Sequence, residues 1–489
     1  MPKLSRRSFL RTASAAAAAL PFATACTAAP SRRQWQPNER IRIAVVGVRG
    51  RGLDHLRAFA ALPDVEVAAL CDVDRDVLGK AAAGFAKDGR RVETFADVRH
   101  ALDRDDFDAI SIATPNHWHS LMGIWACQAG KDVYVEKPVS HNVWEGGRLV
   151  AAARKYRRIV QTGTQCRSSY SLQQAIDWLR AGNLGRITAV HGLCYKPRPS
   201  IGTVAGDQPL PAGLDYDRWC GPAEVRPLRR RSLHYDWHWD FTTGDGDLGN
   251  QGIHQMDIAR WVLGEPDLAP RVRAIGGRLG YRDDGNTPNT LVACFEYATA
   301  PLVFEVRGLP KDQAAQGKDW GKAMDRWFGT GIGVVVHCEG GYLRIPDYTS
   351  AIAFDRDGKQ VQKWQGAHDH YANFVAAMRS GKSSDLAADI REGHVSSALC
   401  HLGNVSWQLG REQDPAAASD AVAKVPAASD AVARMLSHLR SNAVDLQATP
   451  LRVGRLLQVD PRSERCADAE AERLARGSYR AGFVVPEHV

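Results

Sequence analysis

Three groups of residues have types and spacings suited to chemistry. The first is IRIAVVGVRGRGLDHL at 41–56, an apolar run that ends in Gly47, Gly50 and Gly52 and passes into a helical pattern. Gly47 and Gly52 keep the first and last places of the G-x-G-x-x-G turn that holds a dinucleotide pyrophosphate. Arg49 stands at the middle place, and Gly50 beside it can take over the close approach. Asp72 ends the next apolar run, AALCD, twenty residues after Gly52. A carboxylate there accepts hydrogen bonds from ribose hydroxyls and repels a 2′-phosphate, so the expected cofactor is NAD rather than NADP.

The second group is LHYDWHWDFTTGDGD at 233–247, where Tyr235, Trp237, Trp239 and Phe241 alternate with Asp236, Asp240 and two histidines. Flat apolar faces beside carboxylates suit a carbohydrate, which stacks through C–H and pairs through hydroxyls. Trp239 and Asp240 are the substrate candidates here, with Lys196 in YKPRPSIG as a third. The last group is the pair His234 and His238, four apart; no third ligand accompanies them, and no metal is expected.

These residues need elements to hold them. From 41 to about 165, short β-branched runs (IRIAVVG, VEVAALCD, DAISIAT, DVYVEKP, RIVQTGT) alternate with segments of helical apolar spacing, the pattern of a parallel sheet covered by helices. After 166, runs such as ITAVHGLCY, NTLVACFEY, LVFEVRG and GVVVHCEGGYLRI follow one another through short turns, which predicts a mostly antiparallel sheet. Helices return at HYANFVAAMRSG and IREGHVSSALCHLGNVSWQLG, and again near DAVARMLSHLR. The expected division is a twin-arginine signal at 1–29, a Rossmann domain at 40–165, a substrate and oligomerisation domain at 166–410 and an extension at 411–489.

The chain of 489 residues is long enough for two or three domains. Its net charge of +8 falls to about +4 without Lys3, Arg6, Arg7 and Arg11, too little to suggest nucleic acid. The N-terminal SRRSFLRTASAAAAALPFATAC matches a twin-arginine export signal with an A-x-A cleavage site at 23–25. Its apolar stretch is too short to span a bilayer, so a periplasmic mature protein without an integral membrane segment is expected. Cys26 stands where a lipoprotein cysteine would, but Ala23 replaces the usual bulky aliphatic residue before it, so no lipid anchor is expected. Ten cysteines are scattered singly with no C-x-x-C, as buried thiols are.

The motifs ATPNHWHS (113–120), VYVEKPVS (133–140) and GDGDLGNQGIHQMDIARWVLG (244–264), in this order after the glycine turn, resemble the Gfo/Idh/MocA oxidoreductase family. The resemblance covers about 40–410 and continues to the terminal FVVPEHV. It implies a Rossmann domain followed by an α+β domain with an open, mostly antiparallel sheet, and a dimer or tetramer formed through that sheet. It also implies a sugar or cyclitol substrate. Thr114, Asn116 and His117 match the loop beside the nicotinamide half of the cofactor; Glu136 and Lys137 match the E-K-P motif whose lysine enters the active site; His254 matches the histidine of G-x-H that closes the sugar pocket. Many relatives have an aspartate four residues before that histidine. This chain has Asn250, which can orient a hydroxyl but cannot relay a proton.

The residue types fit the reaction. Oxidising an alcohol needs a hydride acceptor, a base for the hydroxyl proton and a cation beside the developing alkoxide. His254, ordinarily titrating near pH ~6.5, is suited to the second role and Lys137 to the third, sharing the base role if burial lowers its pKa. Three functions are compatible with this set: a sugar, glycoside or cyclitol oxidoreductase; a glycosidase that uses tightly bound NAD transiently; and a non-catalytic sugar-binding protein. The glycosidase cycle suits a compartment poor in free cofactor, though the H-G-N type of segment associated with such enzymes is absent.

Overall fold

A computed structural model describes residues 35–489 apart from Pro37, Asp88, Lys318 and Asp319. The twin-arginine segment and Cys26 lie outside the described residues.

Six parallel strands form the first sheet: β1 (Ile41–Val46), β2 (Val65–Cys71), β3 (Glu93–Phe95), β4 (Ala109–Ile112), β5 (Asp132–Val135) and β6 (Val160–Thr162), in the order 3-2-1-4-5-6. β1, β4 and β5 are almost continuously apolar because helices cover both faces of a parallel sheet, and every residue of β4 and β5 is buried. The strand order reverses between β1 and β4, opening a crevice at their carboxyl ends. Helix α1 (Arg51–Ala60) follows β1 and helix α2 (Asn116–Gln128) follows β4, so the glycine turn and the ATPNH loop flank that crevice.

The second sheet has the order β14-β13-β12-β11-β7-β10-β9-β8-β16-β15. Its strands are β7 (Ile187–Tyr195), β8 (Arg271–Gly277), β9 (Thr290–Glu296), β10 (Pro301–Arg307), β11 (Ile332–Cys338), β12 (Gly341–Ile345), β13 (Ser350–Asp355), β14 (Gln360–Gln365), β15 (Arg411–Gln413) and β16 (Leu451–Val453). All of these pairings are antiparallel except β7 with β10. Alternate residues such as Val334, Val336, Leu343 and Ile345 turn to one face and share a core with helices α3 (Gly252–Leu263) and α5 (Ile390–Gln408).

Two departures from the sequence reading concern which element packs where. Helix α4 (His370–Ser380), expected in the second domain, places Phe374, Val375 and Met378 in the core around Ile43, Val45 and Tyr134 of the first sheet. Residues 411–489, read as an extension, add strands to the second sheet. Their helix α6 (Pro426–Ser441) packs Ala431, Val432 and Met435 against Ile275, Val292 and Val303. The face that the resemblance assigns to subunit contacts is thus covered over β8–β10 by the chain's own helix. Nine described cysteines are free thiols, eight of them buried.

Candidate active site

A cleft of about 370 Å³ lies at the strand-order reversal, between the glycine turn and residues of the second domain. The turn is shaped by what it lacks. Gly47 has φ +80°, and a Cβ there would stand 2.8 Å from the Ala113 carbonyl; one on Gly52 would stand 1.7 Å from Gly47 O. Gly50, at φ +51°, has open space where a Cβ would be, and no side chain caps α1 after it. A helix start without a side-chain cap, beside open space, fits a pyrophosphate, although Gly52 N and Leu53 N already donate to Arg49 O and Gly50 O at 3.0 Å. Asp72 lines the same cleft, its Oδ2 accepting from Val48 N at 3.0 Å and its Oδ1 from Asp74 N at 3.0 Å. These backbone bonds fix the carboxylate, and each oxygen keeps a lone pair for a ribose hydroxyl. Thr114 Oγ1, also at the cleft, is buried without a protein partner. The residues present therefore fit a dinucleotide.

Arg49 lines the cleft but stays exposed, its Nη1 donating to His234 O at 3.2 Å. It ties the turn to the second domain and leaves the phosphate cradle clear. His234 in turn meets Asp74 Oδ2 at 2.9 Å, and Arg218 meets Asp97 at 3.3 Å, so the 213–238 region roofs the crevice.

Glu136 and Lys137 are adjacent and differently placed. The Glu136 carboxylate is buried, held by Arg51 Nε at 2.7 Å, His55 Nε2 at 3.1 Å and the Lys137 amide at 3.1 Å. Although burial opposes its charge, the His55 hydrogen bond and the Arg51 guanidinium hold it well below the usual carboxylate range. Its acceptor sites are committed, so it positions rather than reacts. Lys137 reaches the cleft with one hydrogen bond, from Nζ to the backbone carbonyl of Asn250 at 2.9 Å. Burial lowers its pKa, partly offset by Glu136.

His254 is buried at the start of α3, with its ring 4.8 Å from that of Tyr348 and Nδ1 without a protein partner. Burial, then the nearby Lys137 ammonium, pushes its pKa down to about 3. The expectation of a histidine base near neutral pH is thereby corrected: the imidazole is neutral, a hydrogen-bonding group. Asp257 is not its partner, being claimed by Arg167 at 2.9 Å. Beside His254, the Gln251 amide accepts from Lys196 Nζ at 2.7 Å and donates to the Tyr348 hydroxyl at 2.7 Å; these four residues lie next to Asn250 and Lys137 but do not line the cleft itself.

Other candidates are turned to structural work. His117 is buried with Nδ1 3.2 Å from Thr243 O and Nε2 2.9 Å from Trp219 O, so it locks the two domains together and does not line the cleft. Asn116 does line it, and its amide is fixed by Asp245 at 2.7 Å. Trp239 is buried with the Arg198 guanidinium 4.8 Å from its ring centroid, and Asp240 pairs with Arg230 at 2.8 Å; neither faces the cleft. Tyr235, Trp237 and His238 do. Sequence reasoning assigned no role to Tyr348, Gln251, His55 or Asp245; the last three sit inside the quoted motifs, but all four gain meaning only from neighbours distant in the chain. No group of potential metal ligands occurs among the described residues.

Residues 41–164 match the profile of the oxidoreductase family with an NAD-binding Rossmann fold, and residues 184–283 that of the oxidoreductase family's C-terminal alpha/beta domain. A glycosyl hydrolase family 109 protein of Solibacter usitatus is 32% identical over 201 residues, 39% of this chain and 45% of the relative. The chain thus matches less than half the length of that curated relative. Among solved structures, the WlbA dehydrogenase of Bordetella pertussis in complex with NADH and UDP-GlcNAcA superposes with a TM-score of 0.53 at 22% identity, over 74% of this chain and 94% of that one. Levoglucosan dehydrogenase in complex with NADH gives 0.55 at 16% identity, over 75% and 96%. At such identities the likeness is one of fold. Residues 41–164 and 184–283 thus carry, in order, the NAD-binding and C-terminal domains of the Gfo/Idh/MocA oxidoreductase family.

Proposed function

We propose that the protein transfers a hydride between a hydroxyl-bearing carbon of a sugar, glycoside or cyclitol and NAD. The observation that carries this reading is Lys137: an amine at the cleft whose hydrogen-bond partner is a neutral carbonyl, with no carboxylate committed to it. NAD, when bound, accepts or returns the hydride. Neutral Lys137 takes the hydroxyl proton during oxidation, and its ammonium returns that proton during reduction. Burial lowers the Lys137 pKa and so favours its neutral form, against the pull of Glu136. His254, uncharged, orients the substrate oxygen, and Lys196 and Gln251 are placed to hold neighbouring hydroxyls. Asn250 contributes its carbonyl to aligning Lys137, a role that does not depend on the missing carboxylate.

Twin-arginine export places this chemistry in the periplasm, where a retained cofactor is an advantage. The curated relative named as a glycosyl hydrolase supports a second reading, in which the same bound NAD is reduced and reoxidised within one turnover. Purified mature protein, loaded with NAD and offered a panel of sugars and aryl glycosides, separates the readings. Net formation of NADH supports the first; aglycone release without net NADH supports the second. Binding of sugars with neither outcome would leave a sugar-binding protein.

A further inference from the structure

Past Asp72 the cleft continues to Val98, Arg99, Trp118 and Met122, and its wall there is completed by Phe483 from the far end of the chain. Phe483 is 8% exposed. Its ring meets Trp118 edge-on, centroids 5.5 Å apart at 89°, and the Arg99 guanidinium lies 5.6 Å from its centroid. Val485 joins the same apolar cluster.

The segment carrying Phe483 is fastened at both ends. Arg480 donates from Nε to Gly221 O at 2.7 Å, from Nη1 to Asp217 Oδ1 at 2.6 Å and from Nη2 to Asp217 O at 2.8 Å. Trp118 grips the same loop from the other side, its indole N–H donating to Arg218 O at 3.1 Å and Trp219 O at 3.0 Å. Beyond Phe483, Arg148 donates to Glu487 O at 3.0 Å, and Lys155 Nζ bonds Val489 O. Three stretches remote in sequence thus close one end of the cleft, the end beyond the ribose-binding carboxylate where a dinucleotide carries its base. A wall of two aromatic rings with a cation beside one of them suits a flat heteroaromatic base.

We infer that the C-terminal segment 479–489 is part of the cofactor site: Phe483, held by Arg480, walls the adenine end of the dinucleotide and governs how slowly it leaves. This rests on the NAD reading. Departure requires the base to slip past Phe483 or the segment to detach, and detachment breaks the bonds of Arg480.

The full mature chain is loaded with NADH, and release is followed by loss of bound-nucleotide fluorescence during a chase with excess NAD. Phe483→Ala should release NADH about tenfold faster or more, the scale of a lost base–aromatic contact, and weaken ADP-ribose binding in parallel. Phe483→Tyr should restore slow release. Asp217→Asn loosens the latch from an exposed partner, so it tests the inference even if Phe483→Ala fails to fold. Release within twofold of the unaltered protein in Phe483→Ala or, where that variant does not fold, in Asp217→Asn would overturn it. Failure of the unaltered protein to bind NADH or ADP-ribose at all would instead sink the cofactor reading, and this inference with it.

Discussion

The glycine turn and the 233–254 stretch contribute to the same cleft and are built on opposite principles. The turn works by leaving things out: side chains absent at Gly47, Gly50 and Gly52, and a helix start without a side-chain cap. The 233–254 stretch is rich in polar and aromatic groups, and its acidic side chains are spent internally. Asp240 is taken by Arg230, Asp245 by Asn116 and Asp247 by Arg198. A buried polar group that already has its partners gains little from a ligand, whereas one without them stands to gain a hydrogen bond. The chemically informative groups are therefore the under-partnered ones: Lys137 Nζ, His254 Nδ1 and Thr114 Oγ1.

The sharpest way to break this comparison lies in the turn. Gly52→Ala places a Cβ against Gly47 O and should cost about 3 kcal/mol of stability or more, with loss of NADH binding. Gly50→Ala meets no neighbour and should cost less, about 1–2 kcal/mol, for a backbone at φ +51° and ψ −113° that L-residues rarely adopt. Equal costs by denaturant unfolding would mean that the turn is not tightly packed. Next comes the contrast between a free and a committed polar group. Lys137→Ala should lower turnover at least ~10²-fold with NADH binding retained, while Asp240→Asn should change it less than about threefold per folded molecule. A reversal would move the chemistry to the aromatic stretch.

A smaller effect concerns acid. His117, His238 and His254 are held near pKa 3, below the ordinary value of 6.5, by burial. Below pH ~6.5 the unfolded chain takes up protons that the folded protein refuses, so stability should fall on acidification by up to ~1.4 kcal/mol per pH unit for each histidine. Glu145, raised to about 7 by burial, opposes this, since its protonated form favours the fold and its contribution is lost as pH rises through 7. A thermal midpoint that does not fall from pH 6.5 to 5, or one whose slope is unchanged in His254→Asn, would contradict the buried neutral imidazole. The smallest effect is on cofactor choice. Asp72→Ser should narrow the preference for NAD over NADP by about tenfold, near 1.4 kcal/mol. Equal binding of both by the unaltered protein would remove the role of Asp72.

Much of the first domain was legible because its rules are local. A strand, a glycine turn and a helix are consecutive, and Asp72 ends the very next strand, so spacing alone places it beside the turn. The strand alternation also distinguished the parallel sheet from the antiparallel one. The substrate side was less legible. Trp239 and Asp240 have the types of a sugar site, yet their environment supplies partners from Arg198 and Arg230 that no spacing foretells. Asn250 was read for its amide, and it is its backbone carbonyl that meets Lys137.

By itself, the sequence determined the order of elements, the two sheets, the nucleotide turn and the positions of Lys137 and His254. Tertiary structure decided which polar groups are left free, how burial and charge reset the titration of His254, and that Phe483 returns from the end of the chain to the cleft. The physical reason is range: backbone geometry and hydrophobic period act over a few residues and are written locally. Desolvation and hydrogen-bond satisfaction depend on every atom within a few ångströms, most of them from elsewhere in the chain.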